Sequence, residues 1–266
     1  MGEFSRELIE RSGYARQGFA AHYDAYRPRP PQILLETLCR IARVERPALV
    51  VDLGSGTGLS TREWSEFTER VIGVEPNPAM VDEARRTTNQ GNVEYRLAYG
   101  HETGLDDDCA DIVTCSQSLH WMEPDPTFAE AARVLRTGGV FAAYDYDAAP
   151  LIEPEVDEAY DLYQRRRRAA RERRGIEAGA ASWPKQSHLD RMRASGRFRY
   201  CRELAFHATT LGTADSLLGF ARSIGMIGDA TEVELRLDEL EAVARRVLVD
   251  REVPFQWSYF VRFGVR

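Results

Sequence analysis

No run of 18 consecutive apolar residues occurs in the chain, which rules out a membrane-spanning helix of ordinary length. The first residues, MGEFSRELIERSG, lack the apolar centre of a secretory signal, so a cytoplasmic location is expected. Cysteine is scarce: Cys39, Cys109, Cys115 and Cys201 stand far apart, with no Cys-x-x-Cys pair and no Cys/His spacing suited to a metal. They read as reduced thiols, and no metal is expected. Positive charge is not in excess either. With 35 basic and 42 acidic residues the net charge is −7, and the isoelectric point is about 5.4. General attraction to nucleic acid or to an acidic membrane is therefore not expected, although a local basic patch could still hold an anion. The dipeptide Gly-Lys is absent, which excludes a P-loop.

What is present fits one substantial core. The chain has 266 residues, of which 43% are hydrophobic, enough for a single domain with elaborations. Within residues 47–147, short apolar runs alternate with helical segments. ALVVDL, RVIGVE, VEYRL, DIVTC and GVFAAYDY read as strands, being short, rich in Val, Ile, Tyr and Phe, and bounded by turn residues. PAMVDEARRT and PTFAEAARVLR read as helices, each with Pro in the first turn and apolar residues three and four apart. This alternation predicts βαβ units and a doubly wound, mostly parallel sheet. The flanks differ. Residues 1–46 are helical, with Tyr14, Phe19, Tyr23 and Tyr26 ahead of a proline cluster that interrupts the helix. Residues 150–197 begin with an arginine-heavy helix, and residues 198–266 read as strand, two helices and strand. No repeat or low-complexity linker separates them, so all should pack into one unit.

The segment VVDLGSGTGLS, residues 50–60, ends a strand in Gly54, Gly56 and Gly58, with Asp52 two positions ahead. A ligand-free turn needs one glycine; three at alternate positions suggest close approach by a bulky group. A dinucleotide fingerprint puts its third glycine five residues after its first, whereas here the interval is four. Glu75 follows Gly54 by 21 residues and ends the second strand, where an acid accepts both hydroxyls of a ribose. The expected ligand has a ribose and need not carry phosphates; adenosine joined through sulfur to an amino acid meets those terms.

At this point VVDLGSGTGLS, VIGVEPNPAMVDEAR and DIVTCSQSLHWMEPDPTFAEAARVLRTGGVFAAYDYD resemble the class I S-adenosylmethionine-dependent methyltransferases. Within that family the likeness is greatest to small-molecule enzymes of the trans-aconitate methyltransferase type, and FAAHYDAYRPRPP is similar to their N-terminal helix. The resemblance is strong over residues 19–147 and loose in the last third. It implies a Rossmann-like fold: a seven-stranded, mostly parallel sheet with an antiparallel C-terminal strand, a helical lid in 1–46 and a helical cap in 150–197. It further implies that Gly54, Ser55, Gly56 and Gly58 line the methionine part of S-adenosylmethionine, with Asp52 beneath organising the loop and the amino group. Glu75 would bind the ribose, Pro76, Asn77 and Met80 would flank the adenine, and Ser116 and Gln117 would border the cofactor. The family places a small residue and then an acid after strand three. Here Gly100 and His101 stand there, with Glu102 following, and His101 departs from the pattern. Tyr23 and Arg27 would approach the cofactor from the lid, with Tyr26 or Arg27 near its carboxylate and Tyr26 also on the acceptor side.

Ligands of doubly wound sheets bind outside the carboxyl ends of the strands, so Ser116, Gln117, His120 and Trp121 lie on the correct edge. His120 is the candidate catalytic residue, as a general base or as a positioner of the acceptor; a helix-capping or core histidine is the plainer alternative. Tyr26, Trp121 and Trp183 complete the expected acceptor set, with His188, Phe220, Arg222, Met226 and Trp257 as further wall candidates. Residues 165–174 hold seven arginines and one acid. That run reads either as a solvated helix face or as a cap attracting an anionic acceptor. The expected function is O- or C-methylation of a small metabolite, anionic or neutral, in a monomer or homodimer with no nucleic-acid or membrane partner. A nucleic-acid or protein methyltransferase and a non-catalytic cofactor binder are the alternatives; Ser116-Gln117-Ser118-Leu119 lacks the Asn-Pro-Pro-Tyr or Asp-Pro-Pro-Tyr of base-flipping amine enzymes.

Overall fold

The computed structural model describes residues 18–146, 149–174, 183–224, 232–249 and 251–266. Helix α1 spans Phe19–Tyr26 and α2 Gln32–Ala42. The prolines between them end the first helix, and Pro31 caps the second, whose Leu34, Leu35, Leu38, Cys39 and Ala42 form one buried stripe. Strands β1 (Val50–Leu53), β2 (Val71–Glu75), β3 (Val93–Leu97), β4 (Ala110–Ser116) and β5 (Leu135–Tyr146) follow, interleaved with α3 (Leu59–Glu63), α4 (Pro78–Thr87) and α5 (Pro124–Val134). Every residue of β1 and β2 is buried, as expected of central parallel strands covered on both faces. Helix α4 starts where Asn77 accepts a hydrogen bond from Ala79 N at 3.0 Å and Pro78 occupies the first turn.

The remaining elements are α6 (Pro154–Arg173), α7 (His188–Ala194), β6 (Arg199–Gly212), α8 (Ala214–Arg222), α9 (Glu232–Leu235), α10 (Leu237–Leu248) and β7 (Val253–Val265). The expected helix over TEVELRLDELEAVARRVLV is in fact two, broken at Arg236, whose φ of 54° cannot continue a right-handed helix. The seven strands lie in the order β3-β2-β1-β4-β5-β7-β6. β1 pairs in parallel with both β2 and β4, so the strand order reverses there and the carboxyl ends of β1 and β4 flank the switch point. β5 runs parallel to β4 and antiparallel to β7, from Val140 opposite Val265 to Tyr146 opposite Tyr259. The expected doubly wound, mostly parallel seven-stranded sheet with an antiparallel C-terminal strand is thus the observed one.

The chain divides into two compact units. One comprises residues 28–146, 182–206 and 259–266 and holds β1 to β5 with the glycine segment. Its core joins Val51, Leu53, Ile72 and Val113 to an aromatic cluster in which the Phe141 and Phe198 rings stack at 5.2 Å. The other comprises residues 1–27, 147–181 and 207–258 and is mainly helical. There the Phe220 ring lies 5.2 Å from Trp257 and 6.3 Å from Tyr160. Helix α1 packs in this unit on α8: His22 Nε2 meets the Gly219 carbonyl at 2.9 Å, and the Tyr26 ring occupies the space a side chain at position 219 would need.

Candidate active site

Gly54, Gly56 and Gly58 all have positive φ, 68°, 56° and 82°, which alone favours glycine at each. Their surroundings separate them. A Cβ on Gly54 would come within 2.6 Å of both Ser118 Cβ and Met122 Cε, and a Cβ on Gly58 would collide with the Tyr95 ring and hydroxyl. At those two positions the bulky neighbour is the protein itself. A Cβ on Gly56 would meet nothing within 4 Å. That glycine alone of the three turns its bare face to open space.

Four of the loop amides are also engaged. Gly54 N and Ser55 N donate to the Val74 carbonyl at 2.7 and 3.1 Å, Gly58 N donates to the Ser55 carbonyl at 2.9 Å, and Gly56 N donates to Glu75 Oε2 at 3.0 Å. A phosphate cradle needs such groups pointing outward and uncommitted. Four amides of this loop are turned inward instead.

Beneath it, Asp52 is fully buried. Its two oxygens accept hydrogen bonds from Thr61 Oγ1 at 2.7 Å and Thr114 Oγ1 at 2.8 Å, tying α3 to β4 below the turn. Burial pushes its carboxyl up to about 6, and the two threonine hydroxyls act in the opposite direction. Glu75 accepts from Asn77 N at 2.9 Å and from Gly56 N at 3.0 Å, one bond to each oxygen. An ionised carboxylate offers about four acceptor positions, so two remain for vicinal hydroxyls. Burial pushes Glu75 up to about 7; the Asn77 and Gly56 amides pull it down, and Asp52 repels its charge. Pro76 and Asn77 follow this residue in the chain and Met80 lies on α4, with Asn77 and Met80 buried. Gly100 is buried after β3, with Met122 Sδ at 3.1 Å from where its Cβ would be, and the His101 ring stacks on Tyr99 at 5.5 Å.

At the end of β4, Ser116 and Gln117 are half-buried, and Gln117 holds a left-handed φ of 53°, a strained conformation of the kind that gathers at functional sites. Ser118 Oγ donates to the Leu53 carbonyl at 2.6 Å and binds this turn to the end of β1. His120 follows on a short 3-10 turn, its ring 4.8 Å from that of Trp121. The His120 carbonyl accepts from Trp183 N at 2.7 Å, so Trp183 lies in the same neighbourhood, with Arg191 over its ring at 5.0 Å.

Three residues of this edge escaped the sequence reading. Asp145, near the end of β5, lies 2.9 Å from Lys185 Nζ, 3.5 Å from Arg262 Nη1 and 3.9 Å from His120 Nδ1. Lys185 also donates to Gln117 Oε1 at 2.5 Å, and Arg262 donates to Glu203 Oε2 at 2.6 Å. Lys185 is the one lysine among the 35 basic residues, a compositional signal that could have singled it out. His188, a wall candidate, is instead a core residue: it is fully buried, and burial pushes it down to about 4, so it is neutral at ordinary pH.

Tyr23, Tyr26 and Arg27 belong to the helical unit. There the Arg27 guanidinium lies over the Tyr23 ring at 4.7 Å and the Phe220 ring at 5.4 Å, and it donates to the Ser223 carbonyl at 2.9 Å. Arg222 pairs with Glu232 at 2.7 Å. Tyr14 and Met226 lie outside the described residues.

Residues 51–143, from β1 to the middle of β5, match a family model described as a methyltransferase domain. In this segment the chain is similar to S-adenosylmethionine-dependent methyltransferases. The chain is similar to the "Probable S-adenosylmethionine-dependent methyltransferase CRG1" of Saccharomyces cerevisiae, with 29% identity over 164 residues, 58% of this chain and 54% of that one. It therefore spans about half the length of that relative. Likeness to the methyltransferase-like protein C25B8.10 of Schizosaccharomyces pombe is more extensive, 26% identity over 85% of this chain and 86% of that one. Among solved structures, a protein of Anaeromyxobacter dehalogenans provisionally named a type II methyltransferase shares 26% identity, with a TM-score of 0.68 over 90% of this chain and 98% of that one.

Proposed function

We propose that the chain is a methyltransferase that moves a methyl group from S-adenosylmethionine to an oxygen or carbon of a small organic acceptor of the kind used by trans-aconitate-type enzymes. The observation that carries this reading is the pairing of Glu75 with Gly56: a buried carboxylate with acceptor capacity to spare, beside the glycine that faces open space. These residues fit a nucleoside without phosphates, because four of the loop amides are already committed. Glu75 would hold the ribose hydroxyls, Gly56 would permit close approach of the backbone, and Pro76, Asn77, Met80 and Gly100 would border the adenine.

Bound S-adenosylmethionine supplies a methyl group already activated on a sulfonium. The chain's own task is then to hold an acceptor in line with that group, and positioning supplies roughly 7–11 kcal/mol of barrier reduction in favourable cases. Gln117, His120 and Trp121 are the residues placed to do so, with Ser116 bordering the cofactor. His120 would accept a proton from a phenol, alcohol or acidic carbon, or would orient an acceptor that has none to lose. Asp145 and Lys185 fix the electrostatic setting of that histidine. The net charge of −7 and the sequence Ser116-Gln117-Ser118-Leu119 favour a small molecule over nucleic acid.

Calorimetric titration of S-adenosylmethionine into the protein tests the cofactor half of the proposal. Binding should be saturable and greatly weakened by Glu75→Ala or Gly56→Arg, and equal affinity in all three proteins would overturn it. Incubation with label-carrying cofactor and a metabolite extract tests the acceptor half. The expected product is a small molecule heavier by one methylene, while label found only on macromolecules would overturn it.

A further inference from the structure

The arginine run of α6 is not one surface. Arg166 pairs with Glu239 at 2.6 Å, and Arg173 and Arg174 pair with Glu234 at 3.0 and 2.6 Å. Those three are solvated ion pairs. Arg167, Arg168 and Arg171 instead line a cavity of about 810 Å3 inside the helical unit, together with Tyr160, Trp257 and His207. The size suits an organic molecule rather than a lone ion.

The chemistry of the wall is specific. Arg167 is buried and held by Gln164 Oε1 at 2.8 Å and the Ile224 carbonyl at 3.2 Å. Burial lowers the pKa of its guanidinium, and Arg171 and Arg27 add repulsion. Arg171 keeps Nε out of solvent with no acceptor among the described residues, and neither it nor Arg168 forms an ion pair among them. A guanidinium N–H kept from solvent without an acceptor is costly, and an anion that pairs with Arg171 removes the cost. Two acids also line the cavity. Asp157 is engaged by Ile152 N at 3.1 Å, and Asp161 is exposed. The aromatic part of the wall is fixed in place: Trp257 Nε1 donates to Thr210 Oγ1 at 2.9 Å, and the Tyr160 hydroxyl accepts from Gln164 Nε2 at 2.8 Å.

We infer that this cavity binds a small organic anion, a carboxylate or phosphate attached to a planar apolar body, with Arg168 and Arg171 gripping the anionic group and Trp257 and Tyr160 facing the body. The inference stands whether or not the chain transfers methyl groups.

The test is direct titration at low salt, without S-adenosylmethionine, of benzoate, phenyl phosphate and the neutral benzamide. Both anions should bind saturably and benzamide should not; the tighter of the two anions identifies the natural anionic group. Arg168→Gln combined with Arg171→Gln should weaken binding by about tenfold to a hundredfold, the loss of charge-assisted hydrogen bonds. Both side chains are at least partly exposed, so the double variant should keep the wild-type circular dichroism and melting temperature. Asp161→Asn should tighten binding by removing a repelling charge. Absence of saturable anion binding by the wild type, equal anion binding by the folded double variant, or equal binding of benzamide would overturn the inference.

Discussion

Lys185 Nζ lies 2.9 Å from Asp145 Oδ1, and so the one lysine of the chain is the nearest cation to a carboxylate that is 5% exposed at the edge of β5. Arg262, at 3.5 Å, is the second cation and is shared with Glu203. The pair brings a loop segment to the sheet edge where His120 stands.

Loss of Lys185 should leave Asp145 under-compensated. Because the lysine side chain is 33% exposed, water softens the penalty, and Lys185→Met should cost about 1–2 kcal/mol rather than the larger cost of a fully buried pair. Urea unfolding of Lys185→Met, Asp145→Asn and the double variant checks this. The double variant should recover part of the loss, and strict additivity would deny the coupling.

Glu75 ties stability to pH with a definite sign. Burial raises its carboxyl from the ordinary 4.5 to about 7, so the protonated form stabilises the fold. That contribution is complete below about 4.5 and is lost as pH rises through about 7. Between pH 5 and pH 8 the wild type should lose about 2–3 kcal/mol more unfolding free energy than Glu75→Gln, measured by urea titration at each pH. Affinity for S-adenosylmethionine should move oppositely, rising with pH in the wild type because the ionised carboxylate is the better acceptor, and staying flat in Glu75→Gln.

The parts legible in the sequence are those written in one local stretch. Asp52, the three glycines and Glu75 all belong to consecutive β and βα segments, and the alternation of those segments also predicts the sheet. Asp145, Lys185 and Arg262 come from β5, the segment before α7, and the antiparallel β7. Nothing local encodes the register that places Arg262 opposite Ala143, and so close to Asp145. The arginines of α6 fail for a similar reason. Which of them pair depends on how the helix is turned toward Glu234 and Glu239, and that is set by packing. The break at Arg236 has no proline or glycine to announce it.

The glycines of the loop should separate folding from binding. Gly54→Ala forces a methyl into Ser118 and Met122 and adds left-handed strain, and it should destabilise the protein by about 2–4 kcal/mol. Gly56→Ala carries only the strain, about 1–2 kcal/mol, since its methyl meets open space. Thermal melting should rank the two in that order. Calorimetry should show that Gly56→Ala, although folded, binds S-adenosylmethionine more weakly; full affinity would place the cofactor elsewhere.

His120 should matter to turnover and not to cofactor affinity. Its Nδ1 is 3.9 Å from Asp145 Oδ1, beyond hydrogen-bond reach. If it removes a proton from the acceptor, His120→Ala should slow turnover by about 10²–10⁴-fold and leave the S-adenosylmethionine dissociation constant unchanged. Asp145→Asn should then slow turnover as well, because it removes the carboxylate beside the ring. An acceptor with no proton to lose predicts a different pattern: His120→Gln would restore most of the rate, since a neutral amide can still orient the acceptor, and the rate would not depend on the charge at residue 145. Equal rates in wild type, His120→Ala and His120→Gln would remove His120 from the site altogether.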